Sequence, residues 1–254
     1  MNITFDSPPI NEVVMGVRFL PREDFLVPYF GSFWEQVKEQ FPKPAHAPVY
    51  VEGNESPQTD EGYVLPRVWL QSEDGATLLQ LQQNCFLFNW REVTGLDQGY
   101  IRYSQIRAEF LRLWKLFSSF VEQQTGQPLV PTSFELSYVN FIPCVNGQDT
   151  FDLAKKVFRS FAVPFDASHV GRRGFQLQYN ESLDGEAGDL TVIYGSGIRP
   201  DKVQGVKFDL SVRKKQVSES SFDDWVELAH STILVAFKEL TTSEMHVAWK
   251  MREG

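Results

Sequence analysis

The chain has 254 residues, 42% hydrophobic, 22% charged and 14% aromatic with 21 Phe, which excludes a disordered, collagenous or low-complexity protein and provides for a large core without staples. A formal net charge of -9 and a pI near 5.0 argue against a nucleic-acid binder, because a phosphate backbone is held by clustered Lys and Arg. The basic runs here, Lys155-Lys156, Arg172-Arg173 and Arg213-Lys214-Lys215, are short.

The N-terminal stretch MNITFDSPPINE lacks the basic and apolar regions of a signal peptide, and no run approaches the ~18 apolar residues of a transmembrane helix. Cys85 and Cys144 sit in apolar, strand-like segments and read as free thiols in a reducing compartment. The expectation is a cytoplasmic protein that does not enter a membrane.

In chain order, Val13 to Leu20 is apolar and β-branched and predicts a buried strand. Pro28 opens a predicted helix to about Phe41, with Phe30, Phe33, Trp34, Val37 and Phe41 on one face, ended by Pro42 and Pro44. Ala45 to Pro66 is polar and rich in Pro and Gly, and reads as a long loop. Arg67–Ser72 and Thr77–Arg91 read as strands joined by a Glu73-Asp74-Gly75-Ala76 turn, with a bulge or second turn at Gln83-Asn84. Ser104 is a predicted N-cap for a long helix to Thr125, closed by Gly126, whose stripe is Ile106, Phe110, Leu113, Phe117 and Phe120.

The second half repeats this order. Phe134 to Ile142 predicts a strand and Phe151 to Phe161 a short helix; Gly174–Asn180, Leu190–Tyr194 and Val206–Val212 predict strands. Ser221 caps a long helix with the stripe Trp225, Ala229, Ile233, Phe237 and Leu240, and a last helical turn starts at Thr242 or Ser243. The predicted fold is α+β: duplicated β-α-β-β-(β)-α units, with halves 1–128 and 129–254 in a single domain. They would form a curved, mostly antiparallel sheet with two long helices on one face.

Several residues are candidates for chemistry. In Asn89-Trp90-Arg91 the indole could stack on a ligand and Arg91 could grip an anion. Alternatively Trp90 packs in the core while Asn89 and Arg91 satisfy turn backbone or ion-pair partners. Glu12, Glu135 and Asp209 are possible acids or bases, each equally readable as half of a structural ion pair. Arg172 and Arg173, in a Gly-flanked turn after His169, could meet phosphate or form a solvated turn. None of the four histidines has a His or Cys neighbour at ligand spacing, so no metal or other cofactor is expected. Gly195-Ser196-Gly197 lacks the frame of a nucleophile elbow.

The segments SPPINEVVMGVRF, VWLQS, QLQQNCFLFNWR, YIRYSQIRAEF and ELTTSEMHVAW span nearly the whole chain. They resemble a sporadically distributed family of uncharacterised bacterial proteins of about this length. Its marks are Pro8, Pro9, Ile10, Glu12 and Val14, the Asn89-Trp90-Arg91 triplet, and Tyr100 with Tyr103. The resemblance implies a bacterial origin and brings no activity, cofactor or catalytic residue.

The functional expectation is therefore a non-enzymatic binding or interaction protein using a sheet face or groove. Asn89, Trp90, Arg91, Tyr103, Glu12, Arg172 and Arg173 are its candidate contacts. The alternative is a small-molecule or nucleotide-binding domain with a cavity between sheet and helices, in either case suited to an accessory role in a bacterial defence locus.

Overall fold

The structure, a computed structural model, describes residues 3–49, 65–93, 101–145, 147–162, 174–183, 186–217 and 221–254. Those residues carry strands β1 (Ile3–Phe5), β2 (Ile10–Phe19), β3 (Lys43–Ala47), β4 (Arg67–Gln71), β5 (Thr77–Gln82), β6 (Cys85–Arg91), β7 (Pro131–Pro143), β8 (Gln176–Ser182), β9 (Asp189–Ile198), β10 (Gln204–Lys215) and β11 (Met251–Glu253). The helices are α1 (Val27–Val37), α2 (Tyr103–Thr125), α3 (Thr150–Val157), α4 (Phe222–Leu240) and α5 (Ser243–Ala248). The fold is α+β. Strands β2 to β10 belong to a nine-stranded, mostly antiparallel sheet, and β1 and β11 make a two-stranded one.

The chain divides into two compact units. Unit 1 is Met1–Glu12, Leu136–Arg213 and Asp224–Gly254; unit 2 is Val13–Glu135 and Lys214–Asp223. Unit 2 orders its strands β3-β4-β5-β6-β2, and unit 1 orders its own β7-β10-β9-β8. In both, the first strand lies beside the last and the rest meander outward.

Unit 2 is built on aromatic packing. Phe86 of β6 meets Phe117 of α2 at 5.1 Å between ring centroids, and Phe33 of α1 meets the same ring at 5.1 Å. Phe25 packs on Phe30 at 4.9 Å. Such pairs add about 0.5–1.5 kcal/mol each beyond the area they bury. The α2 helix ends where Gly126 adopts φ 74, a conformation that leaves room for its N–H to reach the Glu122 carbonyl at 2.8 Å. Its N-cap is Arg102 rather than Ser104, with no side-chain cap, so helix begins one residue before the predicted hydroxyl. The predicted 45–66 loop is shortened at its start, because Ala45–Ala47 pair with Arg67–Trp69 in β3; residues 50–64 lie outside the described residues.

In unit 1, Phe208 of β10 stacks on Phe237 of α4 at 5.5 Å, and Phe158 meets Phe208 at 5.0 Å. The predicted α4 stripe is buried from Trp225 through Phe237, and the Trp225 indole donates to the Ala187 carbonyl at 2.9 Å. Helix α3 is capped by Asp149, whose carboxylate accepts from the Asp152 N–H at 2.8 Å, and α5 by Thr242. Helix α3 ends at Val157, short of the predicted Phe161, with Phe158 already extended.

Strand β10 passes β7 closely at Gly205. A Cβ there would lie 2.3 Å from the Ile142 carbonyl oxygen and 2.6 Å from the Phe141 ring. Because the first obstacle is backbone, Gly205→Ala is expected to cost about 1–3 kcal/mol, the range for overpacking. A urea denaturation midpoint that stays at the wild-type value would contradict this account.

Candidate functional site

Strands β4, β5 and β6 carry two different faces because successive side chains alternate. Phe86 points at α2, where it also meets Phe110 at 5.8 Å. Alternation places Phe88 and Trp90 on the same side and Leu87, Asn89 and Arg91 on the other. The cross-strand register (Gln80 opposite Leu87, Trp69 opposite Gln80) then puts Gln80 and Trp69 on that second face, turned away from α2. Gly16 of β2 borders it, since a Cβ there would lie 2.4 Å from Leu87 Cδ2.

The face turned away from α2 holds buried polar groups. Gln80 and Asn89 are each 4% exposed. Gln80 Oε1 accepts from Trp69 Nε1 at 3.0 Å and from Arg67 Nη2. Gln80 Nε2 donates to Asn89 Oδ1 at 2.6 Å. Trp69 and Arg67 can only donate, so the Gln80 oxygen must face them and its NH₂ must face Asn89. Both amides are thereby locked in one orientation. Arg67 and Trp69 stand half-exposed at the outer end, with the guanidinium carbon 5.9 Å from the indole centroid.

Trp90 is 2% exposed on the α2 side, away from Asn89. Arg91 clamps the β4–β5 turn: its Nη2 donates to the Gly75 carbonyl at 3.1 Å and its N–H to Ala76 at 2.8 Å. That turn is held from within by Asp74, which accepts from Ser72 Oγ at 2.7 Å and Ala76 N–H at 2.9 Å. Tyr103 is the first residue of α2 and half-exposed. Glu12, on β2 in unit 1, and Glu135, on β7 in unit 2, are half-exposed with partners of their own. Arg172 and Arg173 lie outside the described residues. The triplet thus contributes Asn89 to the polar face, while Arg67, Trp69 and Gln80 were not singled out in the sequence. The signal for them was the alternation in VWLQ and LLQLQQ, which becomes informative once the hairpin register aligns the two strands.

Two titratable groups in unit 1 are held off their ordinary behaviour. Asp209 on β10 pairs with Lys207 Nζ through Oδ2 at 2.8 Å, while its Oδ1 is buried without a hydrogen bond. Burial raises its carboxyl above the ordinary range, against the opposing pull of Lys207. The His230 ring on α4 lies 2.7 Å (Nδ1) from the Tyr138 hydroxyl, and burial pushes it down to about 4.

A surface cleft of about 380 Å³ in unit 2 is lined by Leu20, Pro21, Pro128 and Val130. Its cation, Arg22, is satisfied internally by Asp24 at 2.7 Å and the Pro128 carbonyl at 3.3 Å. Among the described residues, no three His, Cys, Asp or Glu side chains are grouped to hold a metal ion, and no helix is long and apolar enough to cross a membrane. Compared with protein-family models and with curated protein sequences, the chain finds no match.

Opposite pH responses follow. The folded pKa of Asp209 lies above its unfolded value of about 3.9, so its ionisation costs stability as pH rises. Asp209→Asn should raise the denaturation midpoint at pH 7, and the gain should vanish below about pH 4. A variant less stable than wild type at neutral pH would contradict this. For His230 the folded value lies below the unfolded ~6.5, so stability is full above that pH and falls as pH drops toward 4. His230→Gln should flatten the melting-temperature profile between pH 6.5 and 4; an unchanged slope would refute the assignment.

Proposed function

We propose that this chain is a non-enzymatic binding module that engages a protein partner through the half-exposed Arg67–Trp69 end of the unit 2 face turned away from α2. The reading rests on one observation: a half-exposed arginine and tryptophan held in fixed orientation by a buried amide pair, Gln80 and Asn89. Arg and Trp are the residues most often found at the energetic centre of interfaces, and their value rises when they are preorganised. A guanidinium beside an indole ring suits a partner presenting a carboxylate next to an apolar side chain.

The alternative, a ligand cavity between sheet and helices, has less support. The helix side of β6 is filled by the buried Phe86, Phe88 and Trp90, with Phe86 against the rings of α2. We also infer that the two units descend from one duplicated supersecondary unit, each supplying one long helix. The matching strand orders favour this, since first strand beside last strand recurs in both. The cytoplasmic setting and the tie to a bacterial family remain part of the same proposal.

Native mass spectrometry of the protein captured from its own host tests the reading. Wild type should carry a protein partner. Arg67→Ala and Trp69→Ala should each reduce capture by about 30-fold, the equivalent of a 2 kcal/mol hot spot, in protein that keeps the wild-type circular dichroism spectrum. A released small molecule without a protein would replace this reading with the cavity alternative, and capture indifferent to both substitutions would move the interface elsewhere.

A further inference from the structure

Strand β8 ends the strand order of unit 1: it pairs with β9 on one side and with no described strand on the other. The hydrogen bonds at the ends of this ladder fix which way its backbone points. Ser196 N–H donates to the Phe175 carbonyl and Leu183 N–H to the Gly188 carbonyl, both at 2.9 Å. Antiparallel ladders alternate, so the odd-numbered residues of β8 turn their backbone groups toward β9. Gln176, Gln178, Asn180 and Ser182 therefore aim their N–H and C=O groups outward, and all four are exposed.

The two strand-order ends are not alike. Strand β3, at the end of unit 2, carries Lys43 and Pro44, the residue types that blunt an edge against pairing. Strand β8 reads Gln-Leu-Gln-Tyr-Asn-Glu-Ser, with no proline and no lysine, and its one charge is Glu181. Leu177 is 43% exposed on the side shared with Tyr179 and Glu181. This is an unguarded template for an added strand.

We propose that β8 pairs antiparallel with β8 of a second copy of this chain, about a two-fold axis at Tyr179. The segment is self-complementary in that register. Outward-facing residues must oppose outward-facing residues, and centring on Tyr179 matches Gln176 with Ser182 and Gln178 with Asn180. Every outward amide and carbonyl of the strand is then used. Tyr179 meets Tyr179 of the second copy directly, in the close non-hydrogen-bonded position, and Leu177 lies diagonal to that ring. Glu181 faces Leu177, not another carboxylate. The two Glu181 side chains stand four residues apart along the ladder, about 14 Å, beyond the roughly 10 Å screening length at 0.1 M salt. A two-fold contact of this kind is isologous and closes at two subunits.

Sedimentation of the full chain gives the first readout: the expected species has twice the 29.2 kDa chain mass. Gln178→Pro removes an outward donor that the β8–β9 ladder does not use, so the variant should sediment as a monomer with unchanged circular dichroism and melting temperature. Tyr179→Cys in a Cys144→Ser background should form a disulfide-linked dimer on mild oxidation, because the two Cα atoms would lie about 4.5 Å apart. Leu177→Cys in the same background should not cross-link. The proposal is overturned if wild type is a monomer at every accessible concentration, including the case in which β8 captures a strand of a different protein. It is equally overturned if folded Gln178→Pro remains dimeric, or if Leu177→Cys cross-links as readily as Tyr179→Cys.

Discussion

A β-strand sends its side chains alternately to two sides, and in β5 and β6 that rule divides an apolar interior from a polar surface within a few residues of chain. Phe86 and Phe88 go one way, Phe86 to the rings of α2, and Asn89 goes the other, to Gln80. The two consequences are inseparable. A slip of one residue in the β5–β6 register would send the phenyl rings to the polar face and the amides into the core. Packing of α2 on Phe86 therefore also positions Gln80 against Arg67 and Trp69. The interface proposed for unit 2 takes its geometry from a hydrophobic constraint on the opposite side of the same strands.

Unit 1 shows the converse economy, with polar groups placed where burial works against them. The carboxyl of Asp209 has one oxygen on Lys207 and one with no hydrogen bond, and the His230 ring is buried on α4. Such groups shift the pH range over which the fold is stable, in opposite senses for an acid and a base. Perturbed acids and bases are also common at catalytic sites, but catalysis needs them arranged together around a reacting atom. Asp209 is paired with Lys207 on its own strand, and His230 with Tyr138.

Much of the architecture was legible in the residues. The stripes of α2 and α4 repeat over several turns, so helical periodicity identified them, and Gly126 marked the end of α2. The turn at Gln83-Asn84 was visible as a break in alternation, and it is where β5 becomes β6. Elements of low contrast were missed. Strand β3 is polar and contains Pro44, which reads as loop until β4 supplies its partner, and β1 and β11 have three residues each, too few to establish a period. The polar face was half legible. Asn89 stands in a distinctive triplet, and its neighbour Trp90 takes the core alternative, whereas nothing local in VWLQ distinguishes Trp69. Which of two tryptophans faces inward depends on register across three strands, and register is a long-range property that no single segment contains.

The contrast between β3 and β8 bears on how far association could proceed. A sheet with two unguarded ends can add material at both, and repeated addition yields a filament of unlimited length. Pro44 lacks the N–H that such growth would need, and Lys43 brings a charge to the same edge. With one end of this strand order blocked, pairing at the other consumes the outward backbone groups of β8. Five residues at a strand-order end thereby act as a chain terminator, setting a finite stoichiometry where an equally bare edge would invite polymerisation.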